Sequence, residues 1–325
     1  MSHNLLELFS SSFQQNFKQV PDKILIALSG GVDSMCLLDL AQEWAIQNKC
    51  QIYCATIDHH LRPNSTKEAN EISSLLSTQN IPHKILAWPA GQDTNSNIES
   101  LARQARYELL SNYAKAQNIS VILTAHHADD ELENFFIRLS RGSGIDGLAA
   151  TQAVRKQYGL KIFRPLLEAS KSELITYAKA KQLKFFEDET NQDKKFLRNK
   201  IRNLLSELSD EELSKKRILQ SMQHFLRAKN FFNTYIEQLF NEYVKRDEQG
   251  NYIIKFTDFI NLEQEAALRL LIKILSQSNE QDYKPRFTNL EQLYQKIINK
   301  QIHKRTTFAK NIISVSAEEI LFSKE

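Results

Sequence analysis

Four short apolar runs recur along the first 125 residues, each followed by a stretch of helical spacing, and this alternation constrains the fold most. ILIAL (24–28), QIYCATI (51–57), HKILAW (83–88) and VILTA (121–125) have the length and residue types of buried strands. After the first run, Leu37, Leu38, Ala41, Trp44 and Ala45 repeat at helical spacing, and further helices are predicted over 65–78, 97–117 and 128–140. Strands and helices alternating at this length predict an α/β fold. Its parallel twisted sheet carries helices on both faces, joined by right-handed crossovers.

Past Arg164-Pro165 the alternation fades. A helix is predicted from Ser170 to Lys181, then a polar loop, EDETNQDKK, and a basic helix starting near Lys195. A boundary near Ser206 to Asp210 divides the chain into 1–208 and 209–325. The second part reads as mainly helical, with long runs near 212–245 and 262–276, ending in a small sheet from segments near 303–308 and 311–322.

The segment most suggestive of chemistry is Ser29-Gly30-Gly31-Val32-Asp33-Ser34, set between the first strand and an amphipathic helix. Glycines let the main chain turn sharply and approach a ligand without a Cβ in the way. The N–H groups of the helix that follows then point at an anion in the turn, aided by the helix dipole. Ser29 and Ser34 add hydroxyls, and the lysine of a Walker loop is missing. Ligands of open parallel sheets sit at the carboxyl ends of the strands. Asp58 and His59 directly follow the second strand, and His126 and His127 directly follow the fourth. On the next helix Asp130, Glu133 and Asn134 share a face at i, i+3 and i+4, with Arg138 and Arg141 extending the stripe. Two carboxylates there suit Mg²⁺ or a substrate ammonium. Glu99, Arg103 and Arg106 line one face of the preceding helix, as an ion-pair ladder or an anion-binding row.

Charge is uneven although the net charge is only +3. Ten Lys/Arg face five Asp/Glu between Thr190 and Asn230, and Lys296–Lys310 holds five basic residues and no acid. That distribution suits a nucleic-acid-facing surface. The three cysteines, Cys36, Cys50 and Cys54, form no CxxC pair, which argues for a reducing cytoplasm and against a disulfide framework or a zinc knuckle. No basic region followed by an apolar run opens the chain, and no stretch approaches the roughly 18 apolar residues of a membrane span.

The SGGVDS string resembles the PP-loop of the N-type ATP pyrophosphatases. In order, DHHLRPNS, NIESLARQARYELL, TAHHADDELENFFIRLSRGSGIDGL, FRPLL and DETNQDKKFLRNKIRNLL are similar to the successive motifs of one branch, the tRNA(Ile)-lysidine synthetases, from about Ile24 to Leu205. The resemblance implies an adenine nucleotide alpha hydrolase-like, Rossmann-like fold and an ATP-dependent C–N ligase. ATP would adenylate the C2 carbonyl oxygen of the wobble cytidine in the CAU anticodon of tRNA(Ile). The ε-amine of free L-lysine would then displace AMP. It places ATP on Ser29, Gly30, Gly31, Val32, Asp33, Ser34, Asp58 and His59, with Mg²⁺ at Asp33. Lysine falls to Asp130 and Glu133, and phosphate or the adenylated intermediate to Arg103, Arg106 and His127. The tRNA falls to Arg198, Asn199 and Arg202, with Lys300, Lys304 and Arg305 added from the basic run, and Phe185, Phe186 and Phe196 are available for stacking. Glu131 and Asn134 stand where the family usually has Gln and Thr. A homodimer stays open. Two rivals remain: a thiolating PP-loop enzyme, for which Cys50 and Cys54 form a CxxxC, and a catalytically idle RNA-binding module.

Overall fold

The structure is a computed structural model and describes residues 5–58, 65–88, 98–186, 197–207, 214–279, 287–302 and 305–325. It divides into two compact units, Met1–His224 and Phe225–Glu325.

The first unit opens with α1 (Leu5–Asn16), β1 (Lys23–Ala27), α2 (Val32–Asn48), β2 (Gln51–Asp58), α3 (Ser65–Thr78) and β3 (His83–Ala87). It continues through α4 (Ile98–Ala116), β4 (Val121–Leu123), α5 (Ala128–Leu139), α6 (Ile145–Leu148), β5 (Val154–Gln157) and β6 (Leu160–Phe163). Helices α7 (Lys171–Ala180), α8 (Leu197–Glu207) and the start of α9 (Lys215–Tyr243) complete it. The six strands lie in the order β3-β2-β1-β4-β6-β5. All pairings are parallel except the β5–β6 edge hairpin. Tyr158 and Gly159, the two residues of its turn, both have positive φ (51° and 77°), the backbone twist that a two-residue hairpin demands.

Strand residues alternate between two apolar layers because successive side chains point to opposite faces. Ile24 and Ile26 of β1 enter the layer with Phe9 and Phe13 of α1, Leu37 and Leu40 of α2 and Leu174 of α7. Leu25 between them enters the other layer, with Tyr107, Leu110 and Ala114 of α4. Helices thus cover both faces, which explains why the strands read as continuous apolar runs.

The second unit continues α9 and adds β7 (Val244–Arg246), β8 (Tyr252–Lys255), α10 (Phe256–Ile260), α11 (Gln264–Asn279), α12 (Phe287–Ile298), β9 (Thr306–Phe308), β10 (Asn311–Val315) and β11 (Glu319–Lys324). Its five-stranded antiparallel sheet, β7-β8-β11-β10-β9, packs Ile254, Ile313, Ile320 and Phe322 against α11 and α12. The terminal sheet expected from sequence is present, enlarged by β7 and β8. The division between units falls inside α9, whereas sequence places it at 208. Ile218 and Met222 are buried and the Met222 carbonyl accepts a hydrogen bond from Ala150 N–H (3.1 Å), so the first turns of α9 belong to the N-terminal unit. Among the described residues no helix is long and apolar enough to cross a membrane.

Candidate active site

The order of strands puts the topological switch point between β1 and β4, where open parallel sheets take their ligands, and the loops leaving their carboxyl ends meet there. Gly30 turns the first loop with φ +83°, and a Cβ at this position would sit 2.8 Å from both Ile72 Cδ1 and a Phe186 ring carbon. Phe186 N–H donates to the Gly30 carbonyl at 2.9 Å, closing the loop from one side. Phe185 and Phe186 are half-buried: they pack against the main core and also line a cavity of about 1340 Å³ with Met35, Thr66 and Ile72. Phe196 and His59 lie outside the described residues.

Gly31 caps α2 and supplies no side chain to its first N–H groups, so these donors face the loop as an anion cradle. The hydroxyls of the loop mostly serve the loop itself. Ser34 Oγ donates to Gly31 O (2.9 Å), and Ser29 N–H and Oγ both donate to Ser34 Oγ (3.3 and 3.2 Å). Asp58 is buried and accepts from Ser65 Oγ (2.8 Å) and Thr66 Oγ1 (2.6 Å), so its carboxylate anchors the start of α3.

From β4 the chain delivers His127 as N-cap of α5. The ring is buried, with Nε2 3.7 Å from Asp33 Oδ2 and 3.6 Å from Asp130 Oδ2. Its main-chain N–H donates to the Asp130 carboxylate (3.1 Å). Burial works against charging His127, but the two carboxylates outweigh it and raise its pKa. Burial likewise opposes charge on Asp33, yet His127 and Lys171 hold that carboxyl below its ordinary value. The neighbouring His126 behaves in the opposite way. Burial and the Arg164 guanidinium push it down to about 4, with Arg103 and Arg106 adding to the effect, so it is neutral at pH 7. Arg103 and Arg106 are themselves exposed on α4, and Arg103 lies 5.5 Å from the Tyr107 ring centre.

Glu133 is buried, and Arg202 of α8 donates from Nε to its Oε1. Sequence assigns Arg202 to the tRNA and Glu133 to lysine; the structure brings the two together in one ion pair. Asn199 is half-buried on the same helix, and the Arg198 side chain is outside the described residues. In the second unit Lys300 and Arg305 are exposed, Lys300 Nζ standing 4.8 Å from the Phe256 ring centre, and Lys304 is outside the described residues.

Lys171, Asp129, Ser170 and Glu173 take part without having been assigned a role from sequence. Lys171, the first residue of α7, reaches both Asp33 oxygens (2.7 and 2.8 Å). Asp129 accepts from Lys171 N–H (2.7 Å) and Lys215 Nζ (3.0 Å), tying α5, α7 and α9 together. Ser170 and Glu173 form a reciprocal capping box that fixes where α7 begins. That box is legible as S-x-x-E, but nothing in the sequence connects Lys171 with Asp33.

The shifts of Asp33 and His127 have a pH signature. A depressed carboxyl contributes stability above its unfolded pKa, near 3.8, and loses it as pH falls. A raised histidine contributes below its unfolded value, near 6.5, and loses it as pH rises through the folded pKa. The cluster therefore stabilises most between about pH 4 and 6.5. In metal-free buffer, His127→Gln should cost more melting temperature at pH 5.5 than at pH 9. An equal cost at both would show that folding leaves the His127 pKa where it is in the unfolded chain.

An uncapped glycine loop at the switch point, with an aspartate one residue into its helix, defines a PP-loop nucleotide-binding domain, and residues 4–208 match the PP-loop domain family. A tRNA(Ile)-lysidine synthase of Wolbachia pipientis wMel is 38% identical over 318 residues, covering 97% of this chain and 72% of the relative. The tRNA(Ile)-lysidine synthase of the Wolbachia of Brugia malayi is 34% identical over 322 residues, covering 98% of this chain and 74% of the relative. The chain belongs to the tRNA(Ile)-lysidine synthase family. The fold is also shared with the U34-tRNA thiolase NcsA from Methanococcus maripaludis. That structure superposes with a TM-score of 0.59 at 16% identity, covering 69% of this chain and 78% of the thiolase.

Proposed function

We propose that this chain uses ATP to join the ε-amine of free L-lysine to C2 of the wobble cytidine in tRNA(Ile) with a CAU anticodon. The observation that carries this reading is the convergence of the PP-loop, His127 and Asp130 at the carboxyl ends of β1 and β4, with Glu133, buried and paired with the part-exposed Arg202, further along α5. Cytosine O2 is a poor leaving group and AMP a good one, so adenylation must come first. The N–H groups of the loop hold the pyrophosphate portion of ATP, and His127, whose protonated form the Asp33 and Asp130 carboxylates favour, lies beside them to face developing negative charge. Arg103 and Arg106 steady the adenylated cytidine, and Asp130 and Glu133 position the incoming lysine.

Magnesium suits the donor set. It binds through one or two carboxylates together with substrate phosphates, and the Asp33 and Asp130 carboxylates both approach His127 Nε2. Among the described residues no group of three protein ligands stands ready, in keeping with an ion brought in by ATP. When bound, it supplies neutralisation of the pyrophosphate charge.

A thiolating chemistry needs a reactive thiol. Burial pushes Cys36, Cys50 and Cys54 each up to about 12, so none offers a thiolate at neutral pH. Incubating the chain with ATP, lysine and tRNA(Ile) carrying CAU tests the proposal: pyrophosphate release should require the tRNA, and lysidine should form only with lysine. Sulfur transfer to the tRNA, or no chemistry at all, would favour one of the rivals.

Arg198, Asn199, Lys300, Lys304 and Arg305 are proposed to contact the tRNA, the cations through phosphates, with Arg202 acting from its pair with Glu133. Phosphate contacts position the substrate without reading sequence. Neutralising Lys300, Lys304 and Arg305 together should weaken tRNA binding and flatten its dependence on log salt by about two to three units. ATP and lysine affinity should stay unchanged. An unaltered slope would make this run an ordinary solvated surface.

A further inference from the structure

The PP-loop contains no lysine between Ser29 and Ser34, yet a polyphosphate of three to four charges needs more than main-chain N–H groups to hold it. The structure delivers an ammonium from elsewhere. Lys171, 138 residues further along the chain than Asp33, places Nζ 2.7 and 2.8 Å from the two carboxylate oxygens. Its main chain is fixed: the Lys171 N–H is bonded to Asp129 (2.7 Å), and the Ser170–Glu173 box holds the helix start. Its side chain is held by the Asp33 carboxylate alone among the described contacts. The Lys171 side chain is 38% exposed and that of Asp33 28%, so the pair sits at the solvent-facing edge of the loop. A half-exposed ion pair is held weakly and exchanges partners at little cost. A lysine is a compact charge on a flexible stem, suited to such an exchange.

Resting on the ATP reading above, we infer that Lys171 is the polyphosphate-binding cation of this site, parked on Asp33 until ATP arrives. On binding, Nζ moves from the Asp33 carboxylate to the β- and γ-phosphate oxygens. That exchange would free the Asp33 carboxylate, the group that would hold magnesium. Lys215 pairs with Asp129 and Arg202 with Glu133, so among the described lysines and arginines Lys171 is the one paired with the carboxylate of the loop itself. The competing role is a permanent counterion that keeps Asp33 in place and never touches ligand.

Titrating the whole chain with inorganic pyrophosphate in magnesium-free buffer separates the two roles. Lys171→Met should bind pyrophosphate about tenfold more weakly or worse, and Lys171→Arg within about threefold of the unaltered chain. Asp33→Asn should tighten binding, and by more when Lys171 is present than in the Asp33→Asn/Lys171→Met double variant, because only then is a cation released. Equal affinity of the unaltered chain and Lys171→Met overturns the proposal. So does an Asp33→Asn gain that is the same in both backgrounds. Should Lys171→Met alone fail to fold, the double variant leaves no unmatched charge, and its affinity is compared with that of Asp33→Asn. A chain that in its unaltered form binds neither ATP nor pyrophosphate removes the ATP reading itself, a result distinct from a loss confined to Lys171 variants.

Discussion

Asp33→Ala should abolish tRNA-dependent pyrophosphate release, by about a thousandfold or more, while leaving a folded chain. The magnitude follows from what a metal-facing carboxylate does: several kcal/mol of charge stabilisation in the transition state corresponds to about three decades in rate. The fold survives because the Asp33 side chain is 28% exposed and stands in the first turn of α2, outside the apolar layers. Its removal leaves Lys171 and His127 without their shared anion, so His127 should then titrate at lower pH. Asp33→Asn keeps the shape and removes the charge, and should be nearly as inactive. Near-normal pyrophosphate release by either variant would take Asp33 out of the reaction, and with it the assignment of magnesium to this carboxylate. A melting curve recorded beside the assay separates lost chemistry from lost fold.

The same loop shows why part of the site was legible in sequence. Asp33, Asp130 and Glu133 sit in local patterns, a glycine turn and an i,i+3 helix face, whose geometry the chain dictates over a few residues. Their partners do not. Lys171 lies 138 residues from Asp33, Lys215 lies 86 from Asp129, and Arg202 lies 69 from Glu133. Lys171 and Lys215 look in sequence like solvated charges and Arg202 like a tRNA contact, and only the folding of α7, α8 and α9 onto the strand ends gives each its carboxylate partner. The sheet follows the same rule. Strands β1, β2 and β4 are readable because their central side chains are apolar and buried, and β3, at the edge, through the Ile85-Leu86 pair. Strand β5, VRKQ, exposes Arg155 and Lys156 on an edge and carries no such signal. Helix α1 was passed over, although Leu5, Phe9 and Phe13 bury themselves at a spacing of four.

Glu133→Gln separates the two chemical steps. If Asp130 and Glu133 position lysine, the variant should raise the lysine KM or slow lysidine formation about a hundredfold, while pyrophosphate release falls far less. The structure sharpens this expectation. Glu133 is 4% exposed and bound to Arg202, whose side chain is 38% exposed, so the pair is buried at one end and wet at the other. Glutamine keeps an oxygen that accepts from Arg202 Nε but removes the charge. The stability cost should therefore lie between that of a surface pair and a buried one, about 1–2 kcal/mol. An Arg202→Ala variant tests the other end of the same bond. If the guanidinium acts through Glu133, Arg202→Ala should repeat the lysine defect with the salt dependence of tRNA binding intact. If it grips a tRNA phosphate directly, the slope should drop by about one unit. Adenylation that falls in parallel with lysidine formation in Glu133→Gln would reassign both carboxylates to ATP or its metal. In that case the lysine must be held elsewhere.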